Sequence, residues 1–141
     1  MSFPQLKYLA NELEYEKYYM KKYCRKPIIT FDNIPVHFHQ RDFKHIFFES
    51  INSRDDTFSF VRAERIDWIE YALRDKNADL RAGWLRKKKA YSLRRRVAII
   101  SGDYVVVIQL NNKLTSANIV TAYVADKSIG KILSAPKWQK K

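Results

Sequence analysis

Apolar residues recur at helical spacing in the first part of the chain, most clearly over residues 60–75. One face of this range is apolar and consists of Ala63, Ile66, Ile69 and Leu73. Similar periods follow Pro4 over residues 5–24 and occur again over residues 40–50. We therefore predict helices over these three ranges and a shorter helix over residues 78–88.

A stripe of tyrosines marks one side of the predicted helix over residues 5–24. Its members are Tyr8, Tyr15, Tyr19 and Tyr23. Phenol rings suit positions where an apolar body is covered and a hydroxyl finds a partner. We therefore expect this stripe to cover the core rather than to stack on nucleobases.

The pattern changes to strands in the last part of the chain. β-Branched and aromatic residues dominate residues 97–100, 104–108 and 119–124, and a short strand is also predicted over residues 28–31. The late connections are too short for helical crossovers, so antiparallel hairpins are expected. The predicted fold class is α+β, with N-terminal helices packed on a C-terminal antiparallel β-meander of about four strands.

The chain has 141 residues, which is the length of one domain. We divide this single domain into an N-terminal helix, a mainly helical lobe, an antiparallel sheet and a basic tail, over residues 1–26, 27–90, 91–135 and 136–141. Hydrophobic residues make up 46% of the chain, which is enough to fill a core and argues against disorder.

The chain contains a single cysteine, Cys24, so an intrachain disulfide and a cysteine-rich metal site are both excluded. No basic leader followed by an apolar stretch stands near the start, which predicts that there is no signal peptide. The longest apolar run, over residues 104–108, is too short for a membrane span. We expect a cytoplasmic protein with no membrane partner.

Positive charge is the unusual feature of the composition, since 27 Lys+Arg stand against 15 Asp+Glu. Seven cationic residues and no acidic one lie between positions 86 and 96, and we call them the basic cluster: Arg86, Lys87, Lys88, Lys89, Arg94, Arg95 and Arg96. Phosphates would relieve their mutual repulsion, so we predict a nucleic-acid partner, RNA first. A solvated basic loop without a ligand is the alternative. The sequence does not decide on which face of the strand the arginines project, because both alternating sets of residues that follow them are apolar.

Histidines are the first candidates for chemistry. His37 and His39 stand two residues apart, a spacing compatible with zinc, but no thiol or acidic third ligand accompanies them. We therefore expect neither a metal nor another cofactor. His45 lies among apolar residues, where it either caps the edge of the core or enters a cleft as a general acid or base.

The chain lacks the glycine-rich phosphate loops, zinc-binding helix motifs and serine-hydrolase elbow of several large enzyme classes. It does contain residue types that cleave RNA without a metal. An imidazole can take the proton of an attacking 2′-hydroxyl, while cations stabilise the charge that develops on the phosphate. Thr121 and Tyr123 are two residues apart, so they project from the same face of a strand.

Three segments carry a resemblance to a known family: Phe43-Lys44-His45-Ile46, Arg62-Ala63-Glu64-Arg65-Ile66 followed by Trp68-Ile69, and Ile119-Val120-Thr121-Ala122-Tyr123. With their order of helices before a meander, they resemble the phage and mobile-element branch of the barnase–EndoU–colicin–RelE superfamily of metal-independent ribonucleases. The likeness covers about residues 27–126.

The resemblance implies a helical lobe packed on a four-stranded antiparallel sheet, with RNA held on the open sheet face. It makes His45 the general acid or base, with Thr121 and Tyr123 as the polar pair at the phosphate. It also implies phosphate contacts by Arg62 or Arg65 and by one of Arg94, Arg95 and Arg96. Of these arginines we place Arg65 with the catalytic residues. An inhibitor or immunity protein is a partner that such a toxin-like nuclease would need.

Two rival functions stay open. The first is a non-catalytic nucleic-acid-binding module that uses the basic cluster for phosphates and aromatic side chains for stacking. The second is a peripheral protein that adheres to acidic lipid or to an acidic protein. The nuclease predicts that His45 lies within about 8 Å of Thr121 or Tyr123 in a cleft lined by arginines.

Overall fold

The structure is a computed structural model that describes residues 2–85, 87–125 and 128–138. Within these ranges it contains five helices, which are α1 (Glu12–Tyr23), α2 (Asp42–Phe47), α3 (Phe60–Ala63), α4 (Ile66–Arg74) and α5 (Ile129–Leu133). The strands are β1 (Ile28–Ile29), β2 (Pro35–His37), β3 (Phe48–Glu49), β4 (Thr57–Phe58), β5 (Asp79–Leu85), β6 (Ala90–Ser101), β7 (Tyr104–Leu110) and β8 (Ala117–Val124).

Among the described residues, six strands form the main sheet in the order β1-β2-β8-β7-β6-β5, and β3 pairs with β4 separately. Every pair in the main sheet is antiparallel except β2 with β8. The α+β class is therefore confirmed. The prediction of about four strands preceded by all the helices is wrong, because β1 and β2 extend the sheet and α5 follows it. Of these two strands, β1 lies within the predicted strand over residues 28–31, whereas β2 has too few residues to show a period.

The segment over residues 78–88 is a strand rather than the predicted helix. Leu80 and Trp84 are four residues apart, and this spacing fits one helix face and also one strand face. Pairing with β6 decides between the two, since β5 is antiparallel to it over its whole length. The described residues of the range 27–90 consequently form five complete strands as well as three helices, and the prediction of a mainly helical lobe there is wrong.

Helix α1 begins at Glu12, so the predicted helix over residues 5–24 is too long at its start. The side chain of Asn11 caps α1 by accepting the backbone N–H of Glu14. The residues before it run over the surface of the helices instead. Lys7 donates its N–H to the carbonyl of Glu64, and the ring of Phe3 stacks on Trp68 at 4.4 Å.

The three members of the predicted tyrosine stripe that lie in α1 are core residues, as predicted. Tyr15, Tyr19 and Tyr23 are buried, and their hydroxyls donate to the backbone carbonyls of Lys7, His39 and Ile66. Tyr8, the fourth member of the stripe, precedes the helix and is exposed. Each buried ring thus has a partner for its hydroxyl, which removes the cost of burying a polar group.

The predicted helix over residues 60–75 is interrupted at Glu64 and Arg65, which separate α3 from α4. The predicted apolar face is confirmed, because all four of its residues are fully buried: Ala63, Ile66, Ile69 and Leu73. This face belongs to the main core, together with α1, α2 and one face of the sheet.

The two faces of the main sheet have different coverings. The inner face packs against α1, α2 and α4, and Ile99, Val106 and Ala122 lie opposite one another on it across three strands. The outer face carries the alternate residues, including Ala98, Val107 and Thr121. A smaller cluster with α5 covers part of it. Among the helices of residues 2–85, 87–125 and 128–138, none is long and apolar enough to cross a bilayer.

Candidate active-site cleft

A cleft of about 560 Å³ lies where α2 meets β8. Thr121 of β8 donates its hydroxyl to the carbonyl oxygen of His45 at 2.8 Å, which joins the strand to the helix. The lining of this cleft includes Asp42, His45, Phe48, Glu49, Ser50, Arg54, Asp55, Arg62, Arg96, Ile119, Val120 and Thr121. Residues that are far apart in the chain, at positions 45 and 121, therefore meet in one place.

His45 projects into the cleft from the last turn of α2, with its side chain 48% exposed. Its Nδ1 lies 2.9 Å from Oδ2 of Asp55. A carboxylate accepts, so this contact places the imidazole hydrogen on Nδ1 and leaves the lone pair of Nε2 free in the neutral ring. Asp55 thus orients the imidazole in the way that a general base requires.

The loop that holds Asp55 is ordered by its own polar groups. The carboxylate of Asp56 accepts the backbone N–H groups of Ile51, Asn52 and Ser53, and these hydrogen bonds hold its pKa well below the usual range. The N–H of Asp55 bonds to the hydroxyl of Ser50. Asp55 has a positive φ of 50°, a conformation that aspartate tolerates better than most residues.

Arg62 enters the cleft from α3. Its Nη1 donates to the carbonyl of Phe48 at 3.2 Å and approaches that of Ile46 at 3.5 Å, at the C-terminal end of α2. A cation is favourable at that end of a helix because the last carbonyls lack intrahelical partners. The guanidinium also lies 5.9 Å from the centre of the Tyr123 ring. Arg62 therefore connects the helix that carries His45 with β8.

Arg96 reaches the cleft from β6. The register of β5 against β6 shifts between Ala82 and Gly83, so residues 93–96 form a bulge in β6. Arg96 donates its Nε to Gln109 of β7, and burial lowers the pKa of its guanidinium. Its side chain crosses Gly83, where any Cβ would collide with Cγ of Arg96.

Among the described members of the basic cluster, Arg96 is the one that lines the cleft. Lys87, Lys88 and Lys89 lie in the exposed turn between β5 and β6 and do not line it. Arg94 is exposed as well, and Arg95 donates its Nε to the carbonyl of Leu110. The predicted contact of Arg86 falls outside the described residues.

Tyr123 and Arg65 lie in a smaller cavity of about 100 Å³ next to the cleft, and Arg62 lines both spaces. Burial raises the pKa of the Tyr123 phenol, and the charge of Arg62 opposes this rise. The phenol therefore keeps its proton at neutral pH. Arg65 donates to the carbonyl of Val61 and to Glu64, while its buried Nε has no hydrogen-bond partner among the described residues.

Carboxylates also line the cleft, so its charge is mixed. Asp42 accepts the backbone N–H of His39, and the carboxylate of Asp55 is hydrogen-bonded to the imidazole of His45. Glu49 is exposed and lines both the cleft and the smaller cavity. Facing these groups are the guanidiniums of Arg54, Arg62 and Arg96.

Sequence reasoning missed Asp55, Arg54 and Glu49 as residues of the site. Asp55 and Arg54 belong to a stretch that reads as an ordinary turn, and no spacing links it to His45. Neither the left-handed backbone of Asp55 nor the contact of its carboxylate with His45 has a signature in the chain. His37 and His39 take no part in a metal cluster, since no group of three His, Cys, Asp or Glu side chains among the described residues could hold a metal ion.

No protein-family model, curated protein or solved structure matches this chain. A function therefore has to be argued from the residues of the cleft and their chemistry.

Proposed function

We propose that this protein is a metal-independent endoribonuclease of phage or mobile-element type. The observation that carries the proposal is the meeting of His45, Arg62 and Arg96 in one cleft, at the point where Thr121 binds α2. An oriented imidazole beside two guanidiniums is what cleavage of a phosphodiester by the neighbouring 2′-hydroxyl requires. The sequence resemblance to the barnase–EndoU–colicin–RelE superfamily points the same way.

In the first half of the reaction, His45 acts as the base. Its Nε2 takes the proton of the 2′-hydroxyl while the 2′ oxygen forms a bond to phosphorus. Asp55 holds the Nδ1 hydrogen and stabilises the imidazolium that results. Thr121 is a positioning residue, because its hydroxyl donates to the backbone of His45 and so fixes the helix that carries the base.

In the second half, the bond between phosphorus and the 5′ oxygen breaks, leaving a 2′,3′-cyclic phosphate. Arg62 and Arg96 stabilise the extra negative charge on the phosphoryl oxygens. The leaving 5′ oxygen needs a proton, and we assign this role to Tyr123, whose phenol stays protonated because burial raises its pKa. Arg65 lies beside Arg62 and strengthens the positive potential there.

The competing function is binding of nucleic acid without cleavage. Its support is the exposure of Lys87, Lys88 and Lys89 in the turn before β6, since cations on an exposed turn bind phosphates without placing them near a general base.

The nuclease proposal includes a cytoplasmic location and an inhibitory partner protein. The inhibitor is part of the proposal because a free RNA-cleaving activity would damage its own host.

The test is cleavage of a single-stranded RNA oligonucleotide in the presence of EDTA. We expect the native protein to cleave it and His45→Ala to lose about 10²-fold to 10⁴-fold in rate, since that is the usual contribution of a general base. RNA binding by the variant stays within a few-fold. The matched control is His37→Ala, because His37 is an exposed histidine on β2 outside the cleft.

Four outcomes separate the alternatives. Undiminished cleavage by His45→Ala, or loss of cleavage on adding chelator to the native protein, overturns the mechanism. Salt-sensitive binding of RNA with no cleavage by the native protein establishes the binding module instead. Equal losses in His45→Ala and His37→Ala would show that the effect is not specific to the cleft.

A further inference from the structure

A second groove, of about 580 Å³, adjoins the cleft on the outer face of the sheet. We call it the aromatic groove, and its walls include Trp84, Tyr91, Ala98, Val107, Tyr123 and Ile132. Most of its exposed lining is apolar, unlike that of the cleft. A concave apolar surface with a few polar groups at its rim is typical of a site for a small planar ligand.

Charge distinguishes the aromatic groove from the cleft in a second way. Arg96 and Lys131 line it, and none of the described residues that line it is acidic. The cleft, in contrast, has carboxylates among its lining residues. An aromatic surface flanked by cations suits a ligand that combines a flat ring with negative charge, which is the chemistry of a nucleotide.

Trp84 is the exposed element of this surface. It lies on β5 with Tyr91 opposite it on β6, and the two rings meet edge to face at a centroid distance of 5.1 Å. Tyr91 therefore fixes the orientation of the indole, while 49% of Trp84 stays exposed to solvent. A large apolar ring that is held rigid and left open forms a stacking platform.

The aromatic groove and the cleft share three lining residues, Arg96, Val120 and Thr121. A phosphate held in the cleft by Arg96 therefore has the groove on its other side. We propose that the aromatic groove binds a nucleobase of the RNA, adjacent to the scissile phosphate, by stacking on Trp84. A base in a duplex is already paired and stacked, so the substrate class is single-stranded RNA.

This inference rests on the proposed function for the identity of the ligand, but it can be tested separately. The probes are a short fluorescent RNA oligonucleotide and an abasic oligonucleotide of the same length and charge, both bound to His45→Ala so that neither is cleaved. We expect Trp84→Ala to weaken binding of the intact oligonucleotide about fivefold to hundredfold, and binding of the abasic one by less than twofold. Trp84→Phe keeps a stacking ring and retains most of the affinity.

Intrinsic fluorescence gives a readout that does not depend on folding of the alanine variant. The intact oligonucleotide is expected to quench tryptophan emission in His45→Ala, but much less in the double variant His45→Ala with Trp84→Phe. The control for loss of an exposed aromatic ring is Tyr8→Ala, which lies outside the groove.

Equal weakening of both oligonucleotides by Trp84→Ala, or no weakening of either, overturns the nucleobase site. Tighter binding of double-stranded than of single-stranded RNA would also overturn it. Failure of the nuclease proposal looks different, because cleavage would then be insensitive to His45→Ala while the base-dependent affinity at Trp84 remained.

Discussion

The two faces of the main sheet are built from the same strands but serve different purposes. On the inner face, Ile99, Val106 and Ala122 are 3%, 0% and 2% exposed beneath the helices. On the outer face, the corresponding strands present Arg96, Thr121 and Tyr123 to the cleft and its neighbouring cavities. Alternation along each strand makes this division possible, since the fixed inner residues hold the outer ones in place.

The difference shows why the candidate site is on a sheet that is otherwise so well packed. A face that is covered by helices can bury large apolar side chains and cannot admit a charged ligand. The outer face is closed by α5 along one part, and the remaining part stays open beside α2. The charged groups of the outer face are held in place by the inner face, because close packing of the inner residues fixes the positions of the strands.

The largest effect that the comparison predicts is a loss of protein stability caused by a substitution on the inner face. Val106→Ala removes two methyl groups from a fully buried position, and we expect the free energy of unfolding to fall by about 1.5–3 kcal/mol. Val107→Ala, the next residue on the opposite face, is half-buried and should cost less than about 1 kcal/mol. Urea unfolding monitored by circular dichroism measures both, and equal costs would contradict the difference in burial between these two positions.

A second prediction concerns the contact that places Arg96 on the outer face. Gly83→Ala introduces a Cβ that collides with Arg96, so we expect a stability cost of about 1–3 kcal/mol together with weaker RNA binding as the guanidinium moves. The control is Gly130→Ala in α5, where nothing lies within 4 Å of the added Cβ. Unchanged stability and RNA affinity in Gly83→Ala would show that Arg96 does not depend on this glycine.

The smallest predicted effect tests the mixed charge of the cleft. Glu49→Gln removes an exposed carboxylate beside the arginines, so we expect RNA affinity to rise by about twofold to fivefold at low salt. Glu14→Gln on the exposed face of α1 makes the same change in net charge outside the cleft and serves as its control. An equal rise in both variants would mean that the net charge of the protein, and not the cleft, governs binding.

Much of the fold follows from local patterns in the chain. The apolar face of α4 and the β-branched runs of β6, β7 and β8 are each visible in a short window, because burial on one side imposes a period on the residues. The pattern is ambiguous for β5, where Leu80 and Trp84 fit both periods, and it is absent for β2, which has only three residues. Backbone pairing with distant strands decides these cases.

The candidate site was predictable in its residue types and less so in its assembly. The proximity of His45 and Thr121 agrees with the expectation that accompanied the resemblance. Arg96 could not be chosen from its neighbours, because the bulge in β6 depends on register against β5. Asp55 reaches His45 through a loop conformation held by hydrogen bonds to Asp56, which no period along the chain records.

The amino-acid sequence by itself determined the α+β class, the buried faces of the main helices and strands, and a strong positive charge. Tertiary structure alone decided which cations meet the imidazole, which carboxylate orients it, and which aromatic ring stays exposed beside them. The physical reason is that the two sets of features depend on interactions of different range along the chain. Burial and backbone propensity act on neighbours in the chain, whereas a cleft is formed by side chains that only strand register and helix packing bring together.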